Sequence, residues 1–206
     1  LLGRVIGLVF LIPFVFFWIR GYFNSKTFRR TWILFGLGAL QGAMGWIMVK
    51  SGLVDVPYVS HYRLAIHLVL AMLLFGFCVW YALDLYEDES RKESFNLRSL
   101  NRWSIAVLVV FIMQVVWGAF TAGLDAGYIY NTFPKMNEGW IPASAWSMQP
   151  VIANLVENPG TVQWMHRILG TVLGLVTIRF WWKNHQANIP HLLKQKARIL
   201  LGIMLT

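Results

Sequence analysis

Apolar residues gather along this chain in long unbroken runs separated by short polar segments. A bilayer core of about 30 Å calls for about 20 mostly apolar residues per helix. Three windows meet that demand with no charge inside them: Thr31 to Val49, Leu64 to Leu83 and Trp103 to Leu124. Two more are weaker, since Val5 to Ile19 opens close to the start of the chain and Val162 to Trp182 carries His166, Arg167 and Arg179 near its ends. Cationic side chains near helix ends snorkel to the interface, so both are expected to span. A further run begins at Ile199 and stops at Thr206. The pattern predicts an all-α, polytopic membrane protein with six helical segments, the last of them cut short.

Composition strengthens this reading. Of 206 residues, 57% are hydrophobic, 16% aromatic and only 13% charged, with a mean hydropathy of +0.55, which is too apolar for an ordinary soluble domain. The net charge of +9 raises the question of nucleic acid, but the basic residues form no single patch with interleaved aromatics. They alternate by connection instead. The first (Arg20, Lys26, Arg29, Arg30), third (Arg91, Lys92, Arg98, Arg102) and fifth (Arg179, Lys183, Lys194, Lys196, Arg198) hold thirteen of the eighteen Lys and Arg; the second and fourth hold Lys50, Arg63 and Lys135.

By the positive-inside rule the odd connections face the cytoplasm or mitochondrial matrix, and the first helix runs from outside to inside. Asp84, Glu87, Asp88, Glu89 and Glu93 offset the third connection but count little in that rule. The single cysteine, Cys78, lies mid-helix and has no intrachain partner. Leu1 opens directly into an apolar run without a basic leader, so no signal peptide is expected, and the missing initial Met fits a fragment.

Comparing the chain with itself brings out a repeat. Leu2-Gly3-Arg4-Val5-Ile6-Gly7-Leu8-Val9 matches Leu169-Gly170-Thr171-Val172-Leu173-Gly174-Leu175-Val176 at an offset of 167 residues, and two glycines recur at the same spacing. In this register His166-Arg167 corresponds to two residues just before Leu1. Arg29-Arg30 likewise stands against Lys196 and Arg198, so duplicated four-helix bundles become the expected architecture.

Among the five histidines, His185 and His191 fall in a basic inner loop and His61 in an outer loop, where solvation is expected. His67 and His166 lie about one turn into their helices, both near the outer face. An ionisable group inside a membrane helix is a functional hypothesis by default, and neutral imidazole is a common ligand of haem iron. The plainer reading is a histidine hydrogen-bonded to a neighbouring helix. Gly170 and Gly174 follow His166 at i+4 and i+8 on one face, where small residues make room for a flat macrocycle or serve close helix packing; Gly3 and Gly7 are their repeat equivalents.

The fourth connection, 125–160, is long, with four prolines and the aromatics Tyr128, Tyr130, Phe133, Trp140 and Trp146. Loops of this length with no secondary structure of their own are often functional, and these aromatics suit a lipid interface or a cap over a site. Asp125, Glu138 and Glu157 are solvated carboxylates or proton relays. Arg63 and Arg167 suit interfacial anchoring or pairing with haem propionates.

At this point the residues resemble the haem A synthase family of bacterial and mitochondrial membranes. The resemblance covers the whole chain. Its most specific stretch is Gly123-Leu124-Asp125-Ala126-Gly127 running into Tyr130-Asn131-Thr132-Phe133-Pro134-Lys135-Met136, then Glu157-Asn158-Pro159 and Gln163-Trp164-Met165-His166-Arg167. Met48-Val49-Lys50-Ser51-Gly52-Leu53 and Tyr62-Arg63-Leu64-Ala65-Ile66-His67-Leu68 are also similar.

The resemblance implies eight helices in two pseudo-symmetric four-helix bundles, of which about six are covered here. Residues 1–85 would be the remainder of an N-terminal bundle on the substrate haem side, 86–102 an inner connecting loop, and 103–206 part of a C-terminal bundle on the cofactor haem side. It implies His67 as catalytic and as ligand of the substrate, haem O, and the repeat sets Gly3 and Gly7 on that substrate side below the histidine expected before Leu1. It implies His166 as ligand of a haem B cofactor, with Gly170 and Gly174. Partner histidines and a Glu-x-x-His-Arg glutamate are expected outside the chain, and the absence of paired loop cysteines favours the cysteine-free class.

The implied reaction oxidises a porphyrin methyl group to formyl for cytochrome oxidase assembly, with haem O synthase, an electron donor protein and a homo-oligomer as expected partners besides membrane lipid, and no nucleic acid. The implied location is the bacterial plasma membrane or mitochondrial inner membrane, with haem sites near the periplasmic or intermembrane-space face. Two alternatives use the same residues differently: a cytochrome b-like electron carrier, and a transporter in which His67 and His166 are proton or substrate sites.

Overall fold

A computed structural model describes residues 2–52, 59–86 and 98–187, together with 194, 195, 198, 199 and 202. All five long windows are helical, and each helix starts several residues before its apolar run: α1 over Leu2–Ile19, α2 over Ser25–Gly52, α3 over His61–Tyr86, α4 over Arg98–Gly123 and α5 over Pro159–Gln186. At 1.5 Å per residue, α2 to α5 are about 40 Å long, enough to cross the hydrocarbon and continue into the headgroup layers. The expected sixth helix falls largely outside the described residues, as do His191 and the charged residues Glu87, Asp88, Glu89, Arg91, Lys92 and Glu93.

Three helices, over Ser25–Lys50, His61–Leu85 and Arg102–Gly123, are long and apolar enough to cross a membrane. Only 6%, 11% and 11% of their apolar windows is buried within the protein. Water would penalise that much outward-facing apolar surface, whereas lipid accepts it, because each helix satisfies its own backbone. The protein is therefore an all-α polytopic integral membrane protein. Val5–Ile19 is a shorter apolar helix. α5 has the length to span, but Gln163, His166, Arg167 and Arg179 make it too polar to count on composition alone.

The chain divides into two compact units, Leu1–Lys92 and Glu93–Thr206. In the first, α1 ends in a turn where Gly21 adopts φ 73°, the left-handed conformation that glycine enters without strain. The Gly21 and Tyr22 amides there donate to the carbonyls of Trp18 and Phe17 at 3.0 and 3.1 Å. Asn24 then caps α2 by accepting from the Thr27 amide at 2.8 Å. Phe14 is the buried centre of α1–α2 packing, with Phe23, Trp32 and Phe35 around it at ring separations of 5.8, 5.6 and 6.4 Å.

α2 and α3 are tied by a polar clamp. The Arg30 guanidinium donates to the Asp84 carboxylate and lies 4.5 Å over the Trp80 ring, and Lys26 comes within 3.7 Å of the same carboxylate. Beside it the Tyr81 hydroxyl donates to the Thr27 carbonyl at 3.3 Å.

In the second unit α4 packs along α5, burying Leu169, Leu173 and Thr177. Arg179 stacks 5.7 Å over Trp103 at one end. At the other, Trp117 donates its indole N–H to the Leu155 carbonyl at 3.1 Å, which ties α4 to the long connection.

Candidate functional site

Each unit places one histidine against the helix that precedes it. His67 lies six residues into α3, about 9 Å along the axis, and faces α2. There the Gln41 side-chain nitrogen is 3.1 Å from His67 Nε2 and 3.3 Å from Nδ1. One turn further along α2, Gly45 leaves room for the ring: a Cβ there would stand 3.4 Å from His67 Cε1.

The second unit repeats this arrangement more tightly. His166 lies seven residues into α5 and faces α4, where the Gln114 side-chain nitrogen is 3.5 Å from His166 Nε2. A Cβ at Gly118 would stand 3.0 Å from His166 Cε1 and 3.5 Å from Nδ1, so only glycine lets the imidazole lie against the α4 backbone without displacement. Gly170 meets the same glutamine, since its Cβ would be 3.2 Å from the Gln114 nitrogen.

Three polar atoms in these two sites are buried with no hydrogen-bond partner: Gln41 Oε1, Gln114 Oε1 and His166 Nδ1. Buried polar atoms are nearly always paired, so a cluster of unpaired ones calls for an explanation. Among the described residues no group of three or more His, Cys, Asp or Glu could hold a metal ion. One imidazole per unit beside glycine instead suits an iron that brings a macrocycle's nitrogens with it. The imidazole and the glycine at its ring are what such a group would use.

The other glycines behave differently. A Cβ at Gly3, Gly7 or Gly174 would meet nothing within 4 Å, so none of the three serves close packing among the described residues. Gly170 alone of the four packs against a neighbouring helix. Gln41, Gly45, Gln114 and Gly118 are site residues that did not stand out in the amino-acid sequence. A signal was present: a glutamine inside an otherwise apolar, charge-free span, with glycine four residues later, occurs in both α2 and α4.

One other expectation is corrected. His61 is not solvated; it is the first residue of α3, 6% exposed, with its ring 4.1 Å from that of Tyr62. Arg167 is engaged by the long connection. Its guanidinium donates to three loop carbonyls, Tyr130 and Thr132 at 2.6 Å each and Lys135 at 3.2 Å, because a planar fork of five N–H donors is matched by a turn of converging carbonyls. Arg63 sits half-buried in the first turn of α3, and His185 is exposed in the last turn of α5.

The long connection is also more ordered than its length suggests. It contains 3-10 turns over Ala126–Tyr128 and Val151–Leu155 and is held by buried amides. Asn158 caps α5 by accepting from the Thr161 amide at 3.2 Å and donates to the Ser144 carbonyl at 2.7 Å, Ser147 Oγ at 3.2 Å and Asn154 Oδ1 at 3.1 Å. Asn154 in turn bridges Met148 and Val151. Gln163 donates to the carbonyls of Gly127 and Tyr130 at 3.3 and 3.0 Å. The start of α5, and with it the depth of His166, is set by this network. Of the loop aromatics, Tyr130 is buried, whereas Tyr128, Phe133, Trp140 and Trp146 are exposed. Asp125 and Glu138 are exposed and Glu157 is half-buried.

The COX15-CtaA family model, described as cytochrome oxidase assembly protein, matches residues 1–206. The chain is 40% identical over 192 residues to a Flavobacterium psychrophilum protein named Heme A synthase, covering 91% of this chain and 56% of that protein. It is 44% identical over 181 residues to a Parvibaculum lavamentivorans protein of the same name, covering 88% and 52%. To the human protein named Heme A synthase COX15 it is 38% identical over 212 residues, covering 99% and 52%. The chain thus spans about half the length of these relatives. No solved structure matches it.

Proposed function

The chain belongs to the COX15-CtaA family of cytochrome oxidase assembly proteins, and on that premise we propose that it acts in haem A synthesis, oxidising a methyl group of haem O to the formyl group of haem A. The observation that carries this reading is the recurrence, once in each unit, of a membrane-helix histidine set against glycine on the preceding helix. The relatives named Heme A synthase supply the reaction.

His67 would hold the iron of the substrate, haem O, and act as the catalytic ligand. His166 would hold a haem B cofactor, whose iron supplies electron transfer when bound. The remaining work belongs to the chain. Each imidazole offers a nitrogen lone pair between two largely apolar helices. Gly118 and Gly45 let the rings lie against the facing backbone. The network of Asn158, Gln163 and Arg167 holds α5 in place, so that His166 does not slide along the bundle. Gly170 and Gly174 on α5, and Gly3 and Gly7 on α1, would leave the flat faces of the macrocycles unobstructed.

The two histidines would lie near the periplasmic or intermembrane-space face, as the loop charges direct. The two units would be parts of two related bundles, with residues 86–102 joining them. Haem O synthase, an electron donor protein and a second copy of the chain are the partners this role calls for.

The test is haem extraction and chromatography on protein purified from membranes, with His67→Ala and His166→Ala alongside. Haem A formation should vanish in His67→Ala, and haem B should be lost from His166→Ala. Haem B alone, with added haem O left unchanged, would favour an electron carrier, and colourless protein a transporter. Undiminished haem A in both variants would overturn the site assignment.

A further inference from the structure

We propose that the long connection, 125–160, lies on the bilayer as a collar at the His166 end of α4 and α5, with Phe133, Trp140, Val151 and Ile152 inserted among lipid chains. The proposal stands on the membrane assignment and is independent of the haem reading.

The polarity of the segment is the first reason. Its interior holds Asn154, Asn158 and, at the start of α5, Thr161 and Gln163, alongside Ala126, Tyr130 and Met136. Its outside carries Phe133 at 78% exposure, Ile152 at 71% and Trp140 at 66%. The turn over Val151–Leu155 shows the contrast within five residues, with Asn154 buried and Val151 and Ile152 exposed. Water favours the opposite arrangement, and so many large apolar side chains turned outward mark a contact surface. Asn131, Lys135 and Glu138 are exposed as well. The boundary between headgroups and acyl chains accepts both kinds of side chain, and tryptophan concentrates there.

Depth is the second reason. α5 has 28 residues, so its length of about 42 Å exceeds a hydrocarbon core of about 30 Å and leaves about 6 Å beyond each boundary. Gln163 and Arg167 stand about 6 and about 12 Å along this helix. Both donate to the Tyr130 carbonyl, at 3.0 and 2.6 Å, so the connection runs down beside α5 to the hydrocarbon boundary instead of standing above it. The Phe133 ring, 5.9 Å from the Arg167 guanidinium, is held at the same level. Backbone at that depth must find its partners within the protein. Here it does: Arg167 also donates to the Thr132 and Lys135 carbonyls, while Thr132 Oγ1 donates to the Lys135 carbonyl at 3.0 Å and accepts from the Asn137 amide at 2.7 Å.

Charge narrows the kind of lipid. Asp125, Glu138 and Glu157 outnumber Lys135 along this connection, so attraction to anionic headgroups does not hold it down. Insertion of apolar side chains does, and zwitterionic lipid suffices.

Spin labels placed one at a time test this in the protein reconstituted in phosphatidylcholine nanodiscs. Cys78→Ala removes the single cysteine. Labels then go on Phe133→Cys, Trp140→Cys and Ile152→Cys, with Glu138→Cys as the control at the tip of the turn closed by the Met136 amide and the Gly139 carbonyl. Collision with oxygen, which dissolves in lipid, is compared with collision with a water-soluble nickel chelate. The oxygen-to-nickel ratio should be several-fold higher at 133, 140 and 152 than at 138, and unchanged when phosphatidylglycerol replaces phosphatidylcholine. Should the Phe133 substitution loosen the turn around Arg167, Ile152→Cys still decides, because its side chain takes no part in the hydrogen-bond network. Labels as open to nickel as the one at 138 would place the connection in water and overturn the proposal. Labels shielded from both reagents would mean that protein, from this chain or a second copy, covers the face, and would overturn it too. A raised ratio found only with phosphatidylglycerol would overturn apolar insertion as the cause.

Discussion

Replacing Asn158 separates two jobs done by one side chain. Its amide is 3% exposed; the oxygen caps α5 at Thr161, and the nitrogen donates to Ser144, Ser147 and Asn154. Loss of the cap costs about 1 kcal/mol. Loss of the donated bonds, with the buried Asn154 oxygen left one partner short, adds about 2 kcal/mol. Asn158→Ala should therefore cost about 3 kcal/mol, or a rise of about 150-fold in local opening of the loop. Serine caps a helix about as well as asparagine but lacks the amide donor, so Asn158→Ser should cost only about 2 kcal/mol, a rise of about 30-fold. Hydrogen exchange of residues 142–158 in nanodiscs reads this opening directly. The expected order of protection is wild type, Ser, Ala, with α3 unchanged. Equal protection in Ser and Ala would show that the cap contributes nothing, and wild-type protection in both would refute the network as the anchor of α5.

Three further outcomes follow from the same packing. Gly118→Val, which places bulk where even a Cβ would stand 3.0 Å from His166, should displace the imidazole and remove its share of the Soret absorbance, with Gly118→Ala intermediate; spectra at matched protein concentration check this. Arg167→Ala should free the loop carbonyls at Tyr130, Thr132 and Lys135 at a cost of about 2 kcal/mol, seen as faster protease cleavage within 128–136. Arg167→Lys should recover only part, since an ammonium lacks the fork. Arg30→Gln or Asp84→Asn alone should lower thermal stability by about 2 kcal/mol, and the double substitution should cost less than the sum because neither partner is then left uncompensated.

How much of this was legible beforehand depends on the kind of residue. The helices were readable because a span in lipid needs only length and apolarity, both properties of a local stretch such as Leu64 to Leu83. Even so, the helices outrun their apolar runs. Ser25 starts α2 six residues before Thr31 because Asn24 caps it, a detail that hydropathy does not register. His67 and His166 stood out as ionisable groups in apolar helices. Gln41 and Gln114 did not, because an uncharged amide hardly changes the average of its window, and its importance appears only when another helix brings a histidine to it.

The long connection shows the limit most clearly. Its prolines and aromatics announced a loop of consequence, but nothing in the order of residues pairs Asn158 with Ser144 or Arg167 with Tyr130. By itself the amino-acid sequence determined that this chain lies in a membrane, where the five described helices run, and which two histidines are held within them, since each follows from local hydrophobicity and charge. Tertiary structure alone decided what each histidine faces, that Arg167 is committed to loop carbonyls, and that His61 is buried. Those are properties of pairs of atoms on different elements, and the directional hydrogen bonds between them form only once packing has set the distances.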